Sequence, residues 1–393
     1  MFNNSLISNI KKIYLFEIFS AMFFAVPVMV LFWKDNGLSL TQIMILQSFF
    51  SILIVLLEIP SGYFADLYGR KISLVISALG LFFAILIYSF GYTYFVFFLA
   101  EIFFAINISF SSGSLSALMY DTLKDLKIED KYKKYWGNSR FYGLISFAIS
   151  GIIGGFIAKY GLRYTIYASL PVFFLVIPIS LSFVEPKRHK VIVKKGYLKE
   201  LFIIIKDIFV KQKKLRWLII YSAFIFGFNK AGFWTYQPYF KLAGIDIVYF
   251  GIIYAVLTFS AAVFSKYAHL FEKKLGAKYS LIILTLFTGL GYLLMGNLIF
   301  VFSFTFIFFE QFVRSFRDIV VTDYINKMTD SSIRATVLSA ESLVGKLIYA
   351  SIIPLLGWFA DVYSLQQALT ILGLTTLIIG ATLLLIMKKA ELI

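Results

Sequence analysis

Apolar runs of about twenty residues recur from one end of this 393-residue chain to the other. A helix needs about that length to cross about 30 Å of hydrocarbon at about 1.5 Å per residue. Twelve such runs can be read, near 12–33, 40–61, 72–91, 94–119, 138–160, 164–184, 216–239, 247–267, 279–299, 300–322, 336–360 and 365–387. Composition agrees: 60% of the residues are hydrophobic and 15% charged, against roughly half and roughly a quarter in soluble globular chains. Cytosolic and disordered classes are therefore excluded. With no cysteine, there is no disulfide framework or thiolate metal site. His189 and His269 have no second ligand at metal-like spacing, so no metal and no cofactor is expected. The opening stretch MFNNSLISNIKK lacks a small-residue cleavage site, and the first helix is expected to stay in the mature chain.

The net charge of +16 is explained by its placement. If both termini are cytoplasmic, the inside segments collect 29 of the 37 Lys and Arg, while Lys34, Lys159, Arg163 and Lys241 are the 4 outside. That asymmetry is a positive-inside pattern, so nucleic acid is not an expected partner. The expectation is a multi-pass protein of the cytoplasmic membrane with both termini inside. The longest connection, 185–215, separates an N-terminal bundle (1–184) from a C-terminal bundle (216–393) of six helices each. Within it, GYLKELFIIIKDIFVKQKK reads either as an amphipathic helix on the membrane surface or as a solvated tether.

The two halves look like copies. Asp66-Leu-Tyr-Gly69-Arg70-Lys71-Ile-Ser73-Leu74 aligns with Lys273-Lys-Leu-Gly276-Ala-Lys278-Tyr-Ser280-Leu281. Gly155-Phe-Ile-Ala158 aligns with Gly357-Trp-Phe-Ala360, and Glu101 and Glu310 take comparable places in the fourth and tenth runs. Repeated six-helix bundles generally carry a substrate path along the axis between them.

Gly62-Tyr-Phe-Ala65-Asp66-Leu-Tyr-Gly69-Arg70-Lys71-Ile-Ser-Leu74 resembles the loop between the second and third helices of the major facilitator superfamily, G-x-L-a-D-r-x-G-r-k-x-x-l. Phe64 and Leu67 depart from that pattern. The resemblance implies twelve helices in two pseudo-symmetric bundles, with alternating access and this loop as a gate. On physical grounds, Gly62 and Gly69 permit tight turns and close helix approach. Asp66 suits a neighbouring helix N-terminus, and Arg70 is expected to fork onto Glu58. Plain positive-inside anchoring accounts for Arg70 and Lys71 alone. In the fifth run, Gly137, Ser146, Ser150, Gly151, Gly154 and Gly155 follow the register of the antiporter signature with its proline replaced. That small-residue face suits close packing whatever the direction of transport.

Ionisable groups inside the apolar runs cost roughly 2.5–3.5 kcal/mol each on insertion scales and mark function or pairing. Glu310, Arg314 and Arg317 share one helix face. Lys230 shares another with Trp234 and Gln237, Glu101 lies in the fourth run, and Glu17 in the first. The family resemblance puts these four helices around a central cavity. One reading has Glu101 and Glu310 carry protons; the other makes them fixed struts, Glu310 with Arg314 and Glu101 with Lys230. Lys230 with Asn229, Trp234 and Tyr236 suits an anionic or aromatic substrate, whereas Tyr239 reads as part of an outer interfacial belt. Glu341 and Lys346 are expected to pair with Arg140 and other groups at the gate.

No nucleotide-binding loop is present: Leu343-Val344-Gly345-Lys346 lacks the earlier glycine and the following hydroxyl. No enzyme motif appears either. The expectation is a monomeric bacterial secondary transporter, proton-coupled and exporting small amphipathic compounds. The alternatives are uptake of a polar metabolite such as a sugar or organic anion, with Lys230 and Arg314 as ligands, and a non-transporting receptor or scaffold.

Overall fold

The computed structural model describes residues 4–187, 207, 210–331 and 333–392, all helical or connecting, with no strand among them. Most of the expected amphipathic segment of the linker (196–206, 208 and 209), and His189, lie outside these residues. In chain order the helices are α1 (Asn4–Ala21), α2 (Met29–Asp35), α3 (Leu40–Tyr68), α4 (Arg70–Phe90), α5 (Tyr94–Ser111), α6 (Ser114–Asp125) and α7 (Tyr132–Ala158). There follow α8 (Leu162–Leu181), α9 (Lys213–Ala231), α10 (Tyr236–Leu242), α11 (Val248–Asn297), α12 (Ile307–Lys327), α13 (Arg334–Val362) and α14 (Leu365–Lys389).

Among the described residues, nine helical segments are long and apolar enough to cross a bilayer, against the twelve expected. The difference has physical causes. Val248–Asn297 holds two expected runs, divided where Gly276 leaves the helix at φ 69°. The expected runs 216–239 and 300–322 fall short because α9 and α12 carry charge, Lys213, Lys214, Arg216 and Lys230 on one, Glu310, Arg314, Arg317 and Asp318 on the other. The first, fourth, seventh and tenth runs are each interrupted. Residues 22–28 break α1 from α2, Gly113 (φ 73°) breaks α5 from α6, and 3-10 turns at Gly232–Thr235 and Val301–Phe306 precede α10 and α12. Backbone freed in this way needs other partners inside a membrane: Ser73 Oγ donates to the Phe110 carbonyl at 2.8 Å, and Ser61 Oγ to that of Ser109 at 2.9 Å.

The chain divides into two compact units. The first comprises Met1–Leu38, Phe49–Ile192 and Asp246–Ala255; the second comprises Ser39–Ser48, Val193–Ile245 and Val256–Ile393. In the first, the small face of α7 is filled by backbone: a Cβ at Gly154 would lie 1.9 Å from the Phe24 carbonyl oxygen, and one at Gly155 2.8 Å from that of Val248. Ser146 Oγ donates to Ile18 O at 2.7 Å on the same face. In the second, α11 and α14 interlock. A Cβ at Gly373 would lie 2.7 Å from the Gly289 carbonyl oxygen, and one at Gly296 2.8 Å from that of Gln366. Such small-residue seams let helices approach closely where lipid supplies no hydrophobic drive between them.

A charged network joins α9, α12 and α13 in the second unit. Arg317 Nη2 pairs with Glu341, Nη1 with Asp318 at 2.6 Å, and Nε donates to the Ser222 carbonyl at 3.1 Å. Ser222 Oγ donates to Glu341 at 2.8 Å. The expectation matched Glu341 with Arg140; within their own units Glu341 meets Arg317 and Arg140 meets Glu17 at 3.2 Å. Partner choice across helices depends on rotation and tilt, which spacing along the chain does not encode.

Two stability outcomes follow from this packing. Gly373→Leu is expected to destabilise by about 1–3 kcal/mol through overpacking, whereas Gly137→Ala, with nothing within 4 Å of its Cβ, leaves thermal unfolding in detergent unchanged. Equal melting of the two variants would contradict the seam. Glu341→Leu alone strands the Arg317 charge and is expected to cost about 3–5 kcal/mol. Adding Arg317→Met to it recovers most of that loss, and a double-mutant cycle with no coupling would remove the network as a stabilising unit.

Candidate functional site

In the second unit the Glu310 carboxyl is 1% exposed. Asn229, in the last turn of α9, donates from Nδ2 to Glu310 Oε2 at 2.6 Å and to the Glu310 carbonyl at 3.0 Å. The Tyr292 hydroxyl lies against the same carboxyl and donates to the Asn229 carbonyl at 2.6 Å, with the Phe228 carbonyl 3.0 Å away. Glu310 Oε1 is left with no hydrogen-bond donor among the described residues. Gly291 makes room for it, since a Cβ there would sit 2.4 Å from Oε1. The expected strut to Arg314 is not formed; Arg314 is exposed and makes no ion pair among the described residues.

Lys230 lies one residue from Asn229 and is exposed. Its ammonium sits 4.8 Å from the centroid of the Tyr349 ring and 5.6 Å from that of Phe226. Trp234 Nε1 donates to the Tyr349 hydroxyl at 3.0 Å. Two glycines bring α9 and α13 this close: a Cβ at Gly227 would lie 3.0 Å from the Tyr349 nitrogen, and one at Gly345 2.8 Å from the Phe226 ring. Gln237 is fully buried at the start of α10. Tyr239, expected in an outer belt, is buried as well, its hydroxyl donating to the Leu298 carbonyl at 3.4 Å.

In the first unit Glu101, 4% exposed, accepts from the Tyr88 hydroxyl at 2.5 Å, and Trp33 Nε1 donates to that hydroxyl at 3.2 Å. Glu17 faces Arg140 across a gap kept open by Gly143, where a Cβ would lie 3.0 Å from Glu17 Oε2.

The loop after α3 differs in detail from expectation. Arg70 pairs with Asp66 at 2.6 Å and reaches Asp121 at 4.0 Å, instead of forking onto Glu58. The helix N-terminus expected to meet Asp66 is taken by Glu185, which accepts from the Arg70 and Lys71 amides at 2.9 and 2.7 Å. Glu185 thus caps α4 where the dipole favours an anion. Gly69 permits this with φ 115° and no side chain, since a Cβ would be 2.8 Å from Glu185. Gly62 has nothing within 4 Å of its Cβ position, so no close approach occurs there. Sequence reasoning missed Glu185, Asp121, Tyr88, Tyr292 and Tyr349. Glu185 alone carried a visible signal, an acidic residue opening a basic linker.

The sequence profile of the Major Facilitator Superfamily matches residues 13–340. A Bacillus subtilis (strain 168) protein named an uncharacterized MFS-type transporter, YxaM, is 28% identical over 342 residues, covering 82% of this chain and 81% of that one. Among solved structures, the nucleoside transporter NupG superposes with a TM-score of 0.80 at 14% identity, covering 98% of this chain and 99% of NupG. A bacterial homologue of the human lysosomal transporter Spinster gives 0.75 at 14%, covering 99% and 98%. The peptide transporter POT in complex with sulfate gives 0.75 at 12%, covering 97% and 94%. At these identities the structures share the fold. With the profile covering most of the sequence, the chain belongs to the Major Facilitator Superfamily and is a multi-pass membrane transporter of small-molecule substrates.

Proposed function

We propose that the chain is a secondary transporter working by alternating access, in which proton movement through Glu310 drives uptake of a polar, negatively charged metabolite. The observation that carries this reading is the Glu310 carboxyl itself, buried, with Oε1 lacking any donor among the described residues and a tyrosine oxygen beside it. A carboxyl held in that way is satisfied when it bears a proton and unsatisfied when it does not. Proton binding and release then change what the surrounding helices can accept. Glu101, held by Tyr88, acts in this reading as a positioning group for α4 and α5.

Export of an amphipathic cation would be served by an accessible carboxylate on a spanning helix. Glu17, Glu101 and Glu310 are buried, and the exposed carboxylates of α12, Asp318 and Asp323, are paired with Arg317 and Lys327, whereas Lys230 and Arg314 are exposed without an ion pair among the described residues. That distribution favours an anionic cargo. Bringing one negative charge into a negative-inside cell costs about 2.3 kcal/mol per 100 mV, and a proton carried along cancels that charge. Charge bias supports placing both termini on the cytoplasmic side. The Arg70–Asp66–Asp121 group and Glu185 then lie on that side as a closing contact.

The test is uptake into proteoliposomes under an imposed pH gradient, using a panel of organic acids, nucleosides and dipeptides, with ethidium as the cationic control. Glu310→Gln is expected to reduce gradient-driven uptake of the accepted compound by about a hundredfold, as for loss of a proton-transfer group, while exchange of that compound without a gradient persists. Undiminished gradient-driven uptake in the variant would remove Glu310 from the coupling path. Gradient-driven ethidium movement would restore the efflux reading.

A further inference from the structure

We propose that Lys230, between the rings of Phe226 and Tyr349, is the recognition point for the anionic group of a small organic anion with a planar apolar body. This rests on the transporter reading above but not on Glu310 being the proton site.

Among the described residues, Lys230 has no ion pair to balance it. On the α12 side, Arg317 packs its guanidinium 4.9 Å from the Phe226 ring centroid, and that charge is met by Glu341 and Asp318. Lys230 approaches the same ring at 5.6 Å and Tyr349 at 4.8 Å. Its ammonium makes no ion pair and donates no hydrogen bond among the described residues. Lys346, on α13, adds positive charge next to it instead of cancelling it.

An ammonium on a spanning helix is tolerated when it is paired or faces water. Ring faces attract a cation but supply no acceptor for its three N–H groups. Lys230 is exposed, so water meets those donors until a ligand displaces it. A carboxylate or other oxyanion is the group that answers both the charge and the donors.

The walls specify the rest of the ligand. Phe226, Trp234 and Tyr349 are aromatic, and the Trp234 indole donates to the Tyr349 hydroxyl at 3.0 Å, fixing two of the rings against each other. Fixed, flat apolar surfaces beside a lone cation suit a planar body more than a polyhydroxylated one. The glycines at 227 and 345 let α9 and α13 meet closely beside these rings, since a Cβ at either would crowd its neighbour.

The test is direct binding to the purified full-length protein in detergent, read by saturation-transfer NMR and by thermal stabilisation. The probes are 2-naphthoate, its uncharged amide 2-naphthamide, and acetate. Wild type is expected to bind 2-naphthoate at least about tenfold more tightly than either of the others. Lys230→Gln, checked for monodispersity, is expected to lose that preference, and Lys230→Arg to keep it. The proposal is overturned if 2-naphthoate binds no better than 2-naphthamide, or if Lys230→Gln binds it as wild type does. Acetate binding as tightly as 2-naphthoate would overturn the planar body. Glu310→Gln is measured alongside: retained 2-naphthoate binding with lost proton-driven uptake supports both readings. Lost binding in Lys230→Gln with coupling intact in Glu310→Gln keeps the anion site and sinks the proton site.

Discussion

A charge on a membrane-spanning helix has no bulk water to fall back on, so its partner must come from the protein, from a water-filled path or from a ligand. Most of this transporter's buried charges meet that demand internally. Arg317 is met by Glu341 and Asp318, Glu17 by Arg140, Glu101 by Tyr88, and half of Glu310 by Asn229. What remains among the described residues on α9 and α12 is one carboxyl oxygen at Glu310, the ammonium of Lys230 and the guanidinium of Arg314. They sit on neighbouring helices, and Asn229, adjacent to Lys230 in sequence, is the residue that holds Glu310. A change in the Glu310 carboxyl therefore acts on the same turn of α9 that presents the lysine.

Close backbone approach makes these contacts possible. The seam between α11 and α14 and the crossing of α9 with α13 both depend on glycines whose Cβ positions are already occupied by neighbouring atoms. Glycine is used differently at Gly291 and Gly143. There the missing side chain leaves room for a carboxyl, Glu310 in one case and Glu17 in the other. The same residue type thus sets helix spacing in some places and houses polar groups in others. Glycine count alone does not separate the two uses.

Much of the architecture was legible in the sequence because the signals are local. Runs of apolar residues set the helices, and Gly69 and Gly276, aligned in the two repeats, both take positive φ, at 115° and 69°. The family was legible from Gly62 to Leu74, since glycines and a carboxylate at fixed offsets, with the turn at Gly69, are a local pattern. The ion pairs were not. Arg314 stands one turn from Glu310 and was a natural partner by spacing, yet the carboxyl turns to Asn229 on another helix. Arg140 and Glu341 were matched by sign alone, and each meets an opposite charge in its own unit. Tyrosines carried no signal at all. Among 25 of them, nothing in the chain distinguishes Tyr88, Tyr292 and Tyr349, which orient the charged groups, from those that line the surface.

The helix interruptions connect the fold to the chemistry. A continuous helix satisfies its own backbone and has little to offer a ligand. The breaks after α1, α5 and α9 free backbone groups in the runs that also carry Glu17, Glu101 and Lys230. At the α9 break, the Gly232 amide donates to the Tyr292 hydroxyl at 3.2 Å, and that hydroxyl donates to the Asn229 carbonyl at 2.6 Å. Tyr292 therefore pins both sides of the break while its oxygen lies against Glu310. If the Glu310 carboxyl gains a proton and donates it to that oxygen, the oxygen takes a second donor beside the Gly232 amide. Under the proposed reading, the break, the Glu310 carboxyl and the turn that carries Lys230 respond as one unit, the kind of link between two sites that coupling requires.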